Sequence, residues 1–148
     1  MSIKIGIHGS RSLDDERVKI IILDEMKKHK ADIIVTHAEP DGVCNVARSI
    51  AKEKGVPLHL HFLNFKFLRG AFEHRSKAVI KDSDFSVFIH DGKSKGTSNE
   101  IELAKKNSLP HVVHVLEKKE FNKSVGFDVD GKWSFTELEL AQIKLNID

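Results

Sequence analysis

Two short segments place glycine, serine and charged residues in a spacing that suits binding of an anion. The first is His8-Gly9-Ser10-Arg11, and the second is the sequence HDGKSKGTSNE over residues 90–100. Each follows a short apolar run and precedes a helical pattern, so the first N–H groups of a helix are expected to point, unpaired, at one spot. Those N–H groups and the positive end of the helix dipole favour a phosphate. The two segments therefore predict a nucleotide-like ligand.

Particular side chains in these segments suit particular roles in such a site. Gly92 and Gly96 let the backbone approach a ligand closely, and Thr97 or Ser98 is expected to cap the following helix. Arg11 and the more distant Arg75 offer paired donors to phosphate oxygens, although a surface salt bridge is the alternative for each. The predicted ligand-binding residues are Gly9, Ser10, Arg11, Asp41, Arg75, Asp91, Gly92, Lys93, Ser94, Gly96, Thr97 and Ser98.

Composition narrows the class of protein. The chain has 148 residues, of which 40% are hydrophobic and 31% charged, with a net charge of +2. These values predict one domain over residues 1–148 and give no support to nucleic acid as a partner. The single cysteine, Cys44, excludes an internal disulfide and predicts a cytoplasmic location. No apolar run approaches the ~20 residues of a membrane span, so no membrane partner is expected.

Strand and helix patterns alternate along most of the chain. Strands are predicted at residues 4–8, 32–36, 58–63, 85–90 and 111–116. One helix is predicted to start at Asp14 or Asp15, and three more are predicted at 43–54, 71–81 and 97–107. This rhythm predicts an α/β fold with a parallel sheet and helices on both faces. The core covers 3–116, and an appendage over 121–148 is expected to form a hairpin at Asp130-Gly131 and a closing helix capped by Thr136.

The position of the two segments agrees with this architecture. In a doubly wound sheet of strand order 3-2-1-4-5, strands 1 and 4 are neighbours, and the winding reverses between them. Ligands bind at that switch point, beyond the carboxyl ends of the strands. The segments match neither a Walker A loop nor a G-x-G-x-x-G fingerprint, which argues against an ATPase or a dehydrogenase.

The same residues resemble a known group of proteins. His8-Gly-Ser-Arg11, Arg69-Gly70, His74-Arg75 and the sequence DGKSKGT at 91–97 are similar to motifs of the SLOG superfamily, which includes DprA, the LOG phosphoribohydrolases and the small YspA-like proteins. The resemblance covers roughly residues 3 to 116 and is closest to the YspA-like branch. It implies a Rossmann-like fold and a nucleotide or nucleotide-derived ligand.

The partial LOG motifs imply a second function. Gly96-Thr97-Ser98-Asn99-Glu100 matches half of the LOG turn, in which the glutamate takes part in cleavage of the base–ribose bond. A carboxylate beside the sugar stabilises or traps an oxocarbenium-like state, so Glu100 is the candidate catalytic residue. The alternative is that Glu100 only complements the helix dipole. Asp41 matches an acidic position that holds a ribose hydroxyl, or it is a turn or N-cap residue.

The nine histidines show no metal-binding spacing, and neither a metal nor another cofactor is predicted. His8, His37 and His90 stand at strand ends that face the expected site, but their roles stay open. Two hypotheses remain: a binding module that senses or carries a nucleotide-like molecule, and an N-glycosidase that acts on nucleoside monophosphates through Glu100. A homo-oligomer, expected to be a dimer, is predicted in either case.

Overall fold

A five-stranded sheet organises residues 2–117, the part of the chain that the computed structural model describes. All strands are parallel, and their order is β3-β2-β1-β4-β5. This confirms the predicted Rossmann-like sheet. The predicted C-terminal hairpin and closing helix lie outside the described residues. The elements are β1 Lys4–Gly9, α1 Glu16–His29, β2 Ile33–His37, α2 Gly42–Lys54, β3 Leu58–His61, a 3-10 segment Phe65–Gly70, α3 Ala71–Asp82, β4 Phe85–His90, α4 Lys95–Lys106 and β5 His111–Val115.

One face of the sheet is apolar and is covered by α1 and α2. Ile5 and Ile7 of β1 are fully buried there, together with Val18 and Ile22 of α1 and Ala47 of α2. Burial of one such large aliphatic side chain stabilises the fold by about 1.5–3 kcal/mol relative to exposure. Because alternate residues of a strand point to opposite faces, the odd-numbered residues of β1 form this core and leave Gly6 and His8 to the other face.

The opposite face, covered by α3 and α4, mixes apolar and polar side chains. Its apolar cluster consists of Ile80, Phe88, Ile101 and Ala104. His8 pairs with Phe88 in the β1–β4 ladder, and their rings stack with centroids 4.5 Å apart. Gly6 leaves room beside this pair, since a Cβ there would lie 3.2 Å from His8 Nε2. Polar residues therefore collect on one side of the sheet, toward the carboxyl ends of its central strands.

Two local details differ from the sequence prediction. Helix α4 begins at Lys95 and its N-cap is Ser94, so the prediction of Thr97 or Ser98 as the cap was wrong. The Ser94 hydroxyl accepts the N–H of Thr97, which places Thr97 inside the first turn. The 3-10 segment before α3 was not predicted, because its aromatic residues follow neither a helical nor a strand period. Asp15, one of the two residues predicted to start the first helix, is the N-cap of α1.

None of the helices between residues 2 and 117 combines the length and the apolar character needed to cross a membrane.

Candidate functional site

The turns after β1 and β2 are packed against each other with little free space. Gly42 has a φ of 72°, and a Cβ at this position would lie 2.4 Å from Arg11 Cα. Ser10 O accepts the N–H of Val43 at 3.2 Å, which joins the first turn to the start of α2. A Cβ on Gly9 would lie 2.5 Å from Val43 Cγ2. Both glycines are therefore required by close backbone approach, and they fix the floor of the site.

The turn after β4 is held together by Asp91. Its carboxylate accepts the N–H groups of Lys93 at 2.8 Å and Ser94 at 2.7 Å, and the hydroxyl of Ser12 at 2.7 Å. The N–H of Asp91 donates to Ser10 Oγ at 3.0 Å. Burial opposes ionisation of Asp91, but these hydrogen bonds outweigh it and hold the pKa below its ordinary value. Asp91 thus ties the two turns together.

The start of α4 keeps donors available for a ligand. Its N-cap serine satisfies the N–H of Thr97, whereas the N–H groups of Lys95 and Gly96 have no acceptor among the described residues. The first N–H groups of a helix lack partners within the helix, and together with its dipole they attract an anion. Space is also available, because a Cβ on Gly96 would meet nothing within 4 Å.

A cavity of about 1060 Å³ opens beside these turns, between α3 and α4. Eight predicted site residues line it: Gly9, Arg11, Arg75, Asp91, Ser94, Gly96, Thr97 and Glu100. Five do not: Ser10, Asp41, Gly92, Lys93 and Ser98. Asp41 is exposed at the start of α2, where its side chain makes no capping hydrogen bond. The remaining wall residues are Ser12, Glu39, Arg69, Phe72, Glu73, Ser76, Asn99, Glu102, Leu103 and Lys106.

Glu39 joins the two predicted phosphate-binding arginines across the cavity wall. Arg75 Nη2 donates to Glu39 Oε1 at 2.6 Å, and Arg11 Nε donates to Glu39 Oε2 at 3.1 Å. The Arg75 side chain is only 5% exposed, and its Nε has no partner among the described residues. Glu39 was not predicted as a site residue, because its position after β2 carries no pattern that would connect it to Arg75.

An aromatic ring lies beside Arg75. Phe72, one helical turn earlier on α3, is 58% exposed, and the Arg75 guanidinium carbon lies 5.6 Å from its ring centroid. Exposed aromatic rings in a cavity wall favour flat, apolar groups of a ligand, such as a base. Phe72 was missed from the sequence, although its i, i+3 spacing from Arg75 places the two on one helix face.

A cluster of two buried histidines, His8 and His37, and the partly buried Glu100 forms the deep side of the site. Glu100 Oε2 lies 2.6 Å from His8 Nδ1 and 2.9 Å from His37 Nε2, and these two nitrogens are 3.2 Å apart. The side chains come from the ends of β1 and β2 and from the first turns of α4. Both hydrogen bonds of Glu100 end on Oε2, and its Oε1 has no hydrogen-bond partner within residues 2–117. Only Glu100 also lines the cavity.

The cluster fixes the charge states of its members. Burial opposes the charge of Glu100, but its hydrogen bonds and electrostatic interactions with His37 and His8 prevail and lower its pKa to about 2. Burial also lowers the pKa of His8, an effect that the neighbouring Glu100 only partly offsets. At neutral pH, Glu100 is therefore an ionised carboxylate and His8 is a neutral imidazole.

The other residues of interest have structural positions. His90 Nδ1 accepts the N–H of Gly92 at 2.8 Å, so its Nε2–H is directed to Ser98 Oγ at 2.7 Å. Cys44 is buried, and burial raises the pKa of its thiol to about 12, which leaves it unreactive. His59 Nδ1 and His61 Nε2 both contact Asp82 Oδ2, at 3.0 and 2.9 Å.

Compared with protein-family models, with curated proteins and with solved structures, the chain shows no significant match. The case for function therefore depends on the geometry of the cavity and its walls.

Proposed function

We propose that the domain binds a nucleotide or nucleotide-derived ligand in the cavity at the carboxyl ends of β1 and β4, as a sensor or carrier. The observation that carries this proposal is the Arg75 guanidinium in the cavity wall, which is held in place by Glu39. A guanidinium in a cavity wall offers paired donors to an anionic group of a ligand. The resemblance to YspA-like proteins supports the same ligand class, and a cytoplasmic location belongs to the proposal.

Three further wall features match the parts of such a ligand. The free N–H groups at the start of α4 suit a phosphate, the exposed Arg11 adds a second guanidinium, and the ring of Phe72 suits a base. The cavity volume of about 1060 Å³ is ample for a ligand of this size. Glu39 forms ion pairs with both Arg11 and Arg75. A bound phosphate therefore has to share these arginines with Glu39 or take its place.

Calorimetric titration tests the proposal with AMP, dAMP, ADP-ribose, ribose 5-phosphate and adenosine. We expect a phosphorylated compound to bind at least about tenfold more tightly than adenosine, since a charge-assisted hydrogen bond contributes about 1.5–3 kcal/mol. Arg75→Lys should weaken binding by a similar factor, because lysine lacks the paired donors. The matched control is Arg17→Lys, at an arginine that pairs with Asp15 outside the cavity wall. Equal losses in both variants, or no binding by any compound, would contradict the proposal.

A second candidate function is hydrolysis of an N-glycosidic bond. The observation that favours it is Glu100: its carboxylate is ionised, two imidazoles orient Oε2, and it lies in the cavity wall with Oε1 unpaired among the described residues. A carboxylate held in this way beside a ribose can stabilise an oxocarbenium-like transition state or form a glycosyl bond. A carboxylate that only complements the helix dipole would need neither the two imidazoles nor a position in the cavity wall.

Chromatography of nucleoside monophosphates incubated with the protein distinguishes the two functions. Glycosidase activity would release free base, and Glu100→Gln should abolish that release while ligand affinity changes little. Glu102→Gln, in the same helix and the same wall, serves as the control and should keep full activity. Binding without release of base supports the sensor or carrier and rejects the glycosidase.

Association of two copies is part of the proposed function. Four large apolar side chains within seven consecutive residues are between 46% and 81% exposed: Phe62, Phe65, Phe67 and Leu68. Such apolar surface favours contact with another protein surface, and a dimer is the commonest closed assembly. Light scattering of the whole chain tests this: a monomer at micromolar concentration would reject the dimer.

A further inference from the structure

The contacts within the cluster of His8, His37 and Glu100 cannot all be hydrogen bonds. Three atoms, one carboxylate oxygen and two imidazole nitrogens, lie within 2.6, 2.9 and 3.2 Å of each other. If both nitrogens carry protons, two N–H groups face each other at 3.2 Å. If one is unprotonated, its lone pair faces the carboxylate oxygen. Each assignment of protons leaves one repulsive contact, whereas a cation between the atoms attracts all three.

The three atoms also have the geometry of a metal site. A point about 2.1 Å from each of them, the usual distance for imidazole and carboxylate ligands, lies roughly 1.2 Å above the plane that they define. The angles between ligands at that point are about 75–100°, close to those of three cis positions in an octahedron. The three donor atoms are therefore spaced so that one cation can contact all of them.

We propose that His8, His37 and Glu100 bind a divalent first-row transition-metal ion, with its remaining coordination positions open to water or to an oxygen of the cavity's ligand. Two imidazoles and one carboxylate form a donor set typical of catalytic zinc and of non-haem iron sites. The binding of the ion itself does not depend on the nucleotide. Only the role of a ligand oxygen depends on the proposed function.

An ion can reach the cluster from the cavity. Access is provided by Glu100, the member of the cluster that lines the cavity.

The surroundings of the two imidazoles set a limit on affinity. In the metal-bound form their protons lie on the outer nitrogens, His8 Nε2 and His37 Nδ1, and neither has an acceptor among the described residues. Loss of such an acceptor typically costs about 10–100-fold in affinity. We therefore expect a site that exchanges its metal and that a chelator can empty, instead of a permanently occupied structural site.

The metal ion and the glycosidase use Glu100 in different ways. A carboxylate that coordinates a metal is not free to attack a sugar, so occupancy of this site would exclude Glu100 as the nucleophile. A bound metal ion would leave the binding of a nucleotide-like ligand unaffected or strengthen it through a metal–oxygen contact.

Titration of the chelator-treated whole protein with Co²⁺ tests the proposal, with absorption in the visible region and thermal unfolding as readouts. We expect one Co²⁺ per chain, a rise in Tm, and displacement by Zn²⁺. Glu100→Gln should weaken binding at least tenfold. The matched control is His61→Asn, because His61 and His59 also contact one carboxylate, that of Asp82. This variant should bind Co²⁺ like the unaltered chain.

Paramagnetic broadening by Mn²⁺ adds a measurement that needs no variant. The imidazole resonances of His8 and His37 should broaden first, and those of His59 and His61 should not. Absence of any spectral change or stabilisation, normal binding by Glu100→Gln, or equal broadening of all four histidines would overturn the proposal. Nucleotide binding measured with the chelator present tests the proposed function separately, so either can fail alone.

Discussion

Several groups in this domain combine two histidines with one carboxylate, and two of them have very different surroundings. His8 and His37 are buried and Glu100 is partly buried, and one nitrogen of each ring and one oxygen of Glu100 are in mutual contact. His59 and His61 share Asp82, but their rings are 42% and 26% exposed, and no hydrogen-bond-range contact joins them. The first cluster concentrates donor atoms at one point, whereas the second spreads them around a partly solvated oxygen.

Lys4 accounts for much of the difference in expected chemistry. Its ammonium group contacts Asp82 Oδ1 at 3.0 Å, so the second carboxylate already has a cation beside it. Glu100 has no lysine or arginine within salt-bridge distance in the described part of the chain. A carboxylate with two imidazoles and no ammonium can attract a metal ion, whereas one paired with lysine serves the stability of the fold. Residue composition alone therefore does not identify a metal site.

The largest expected effect that separates the two clusters is on stability. His8→Ala should lower the free energy of unfolding by about 2–4 kcal/mol, because it leaves a cavity beside Phe88 and removes a hydrogen bond of the buried Glu100. His61→Ala removes a partly exposed ring and should cost less than about 1 kcal/mol. Urea unfolding of both variants without metal provides the measurement. Equal losses would show that burial does not distinguish the clusters.

A smaller effect is expected from the pH dependence of the second cluster. Burial works against the charge of Asp82, but hydrogen bonds from His61, Lys4 and His59 lower its pKa from 3.8 to about 2. Since the folded pKa lies below the unfolded one, the stabilisation is complete above about pH 4 and is lost as the pH falls toward about 2. Solvent screening limits it to about 1 kcal/mol.

Asp82→Asn tests this assignment by thermal unfolding at a series of pH values. The variant should be less stable than the unaltered chain by about 1 kcal/mol near pH 6, and the gap should close as the pH falls toward about 2. A gap that stays constant with pH would show that Asp82 contributes through packing and not through its charge.

The smallest effect is expected at Asp41. From the sequence this residue was a candidate to hold a ribose hydroxyl or, alternatively, a turn or N-cap residue. It occupies the N-cap position of α2, where its exposed side chain makes no capping hydrogen bond and lies outside the cavity wall. Asp41→Ala should change ligand affinity less than about twofold and unfolding free energy by no more than about 0.5 kcal/mol. A large loss of affinity in calorimetry would extend the site beyond the cavity toward α2.

Parts of the site were predictable from sequence because they depend on local backbone chemistry. Strand-to-helix turns rich in glycine and serine mark their own positions, and eight of the predicted residues line the cavity. The assignment of the α4 cap was wrong because three hydroxyl residues compete within five positions, and Asp91 decides among them by holding the N–H of Ser94. Local propensity does not rank such competitors.

The sequence by itself determined the parallel α/β fold, through the alternation of apolar strand patterns with helices and the turn residues between them. Only the tertiary structure decided which polar residues lie together. His8, His37 and Glu100 are 29 and 63 positions apart along the chain, and Glu39 is 36 positions from Arg75. None of these sequence separations forms a recognisable motif. Parallel strands joined by crossovers bring their carboxyl ends together whatever the length of the intervening chain.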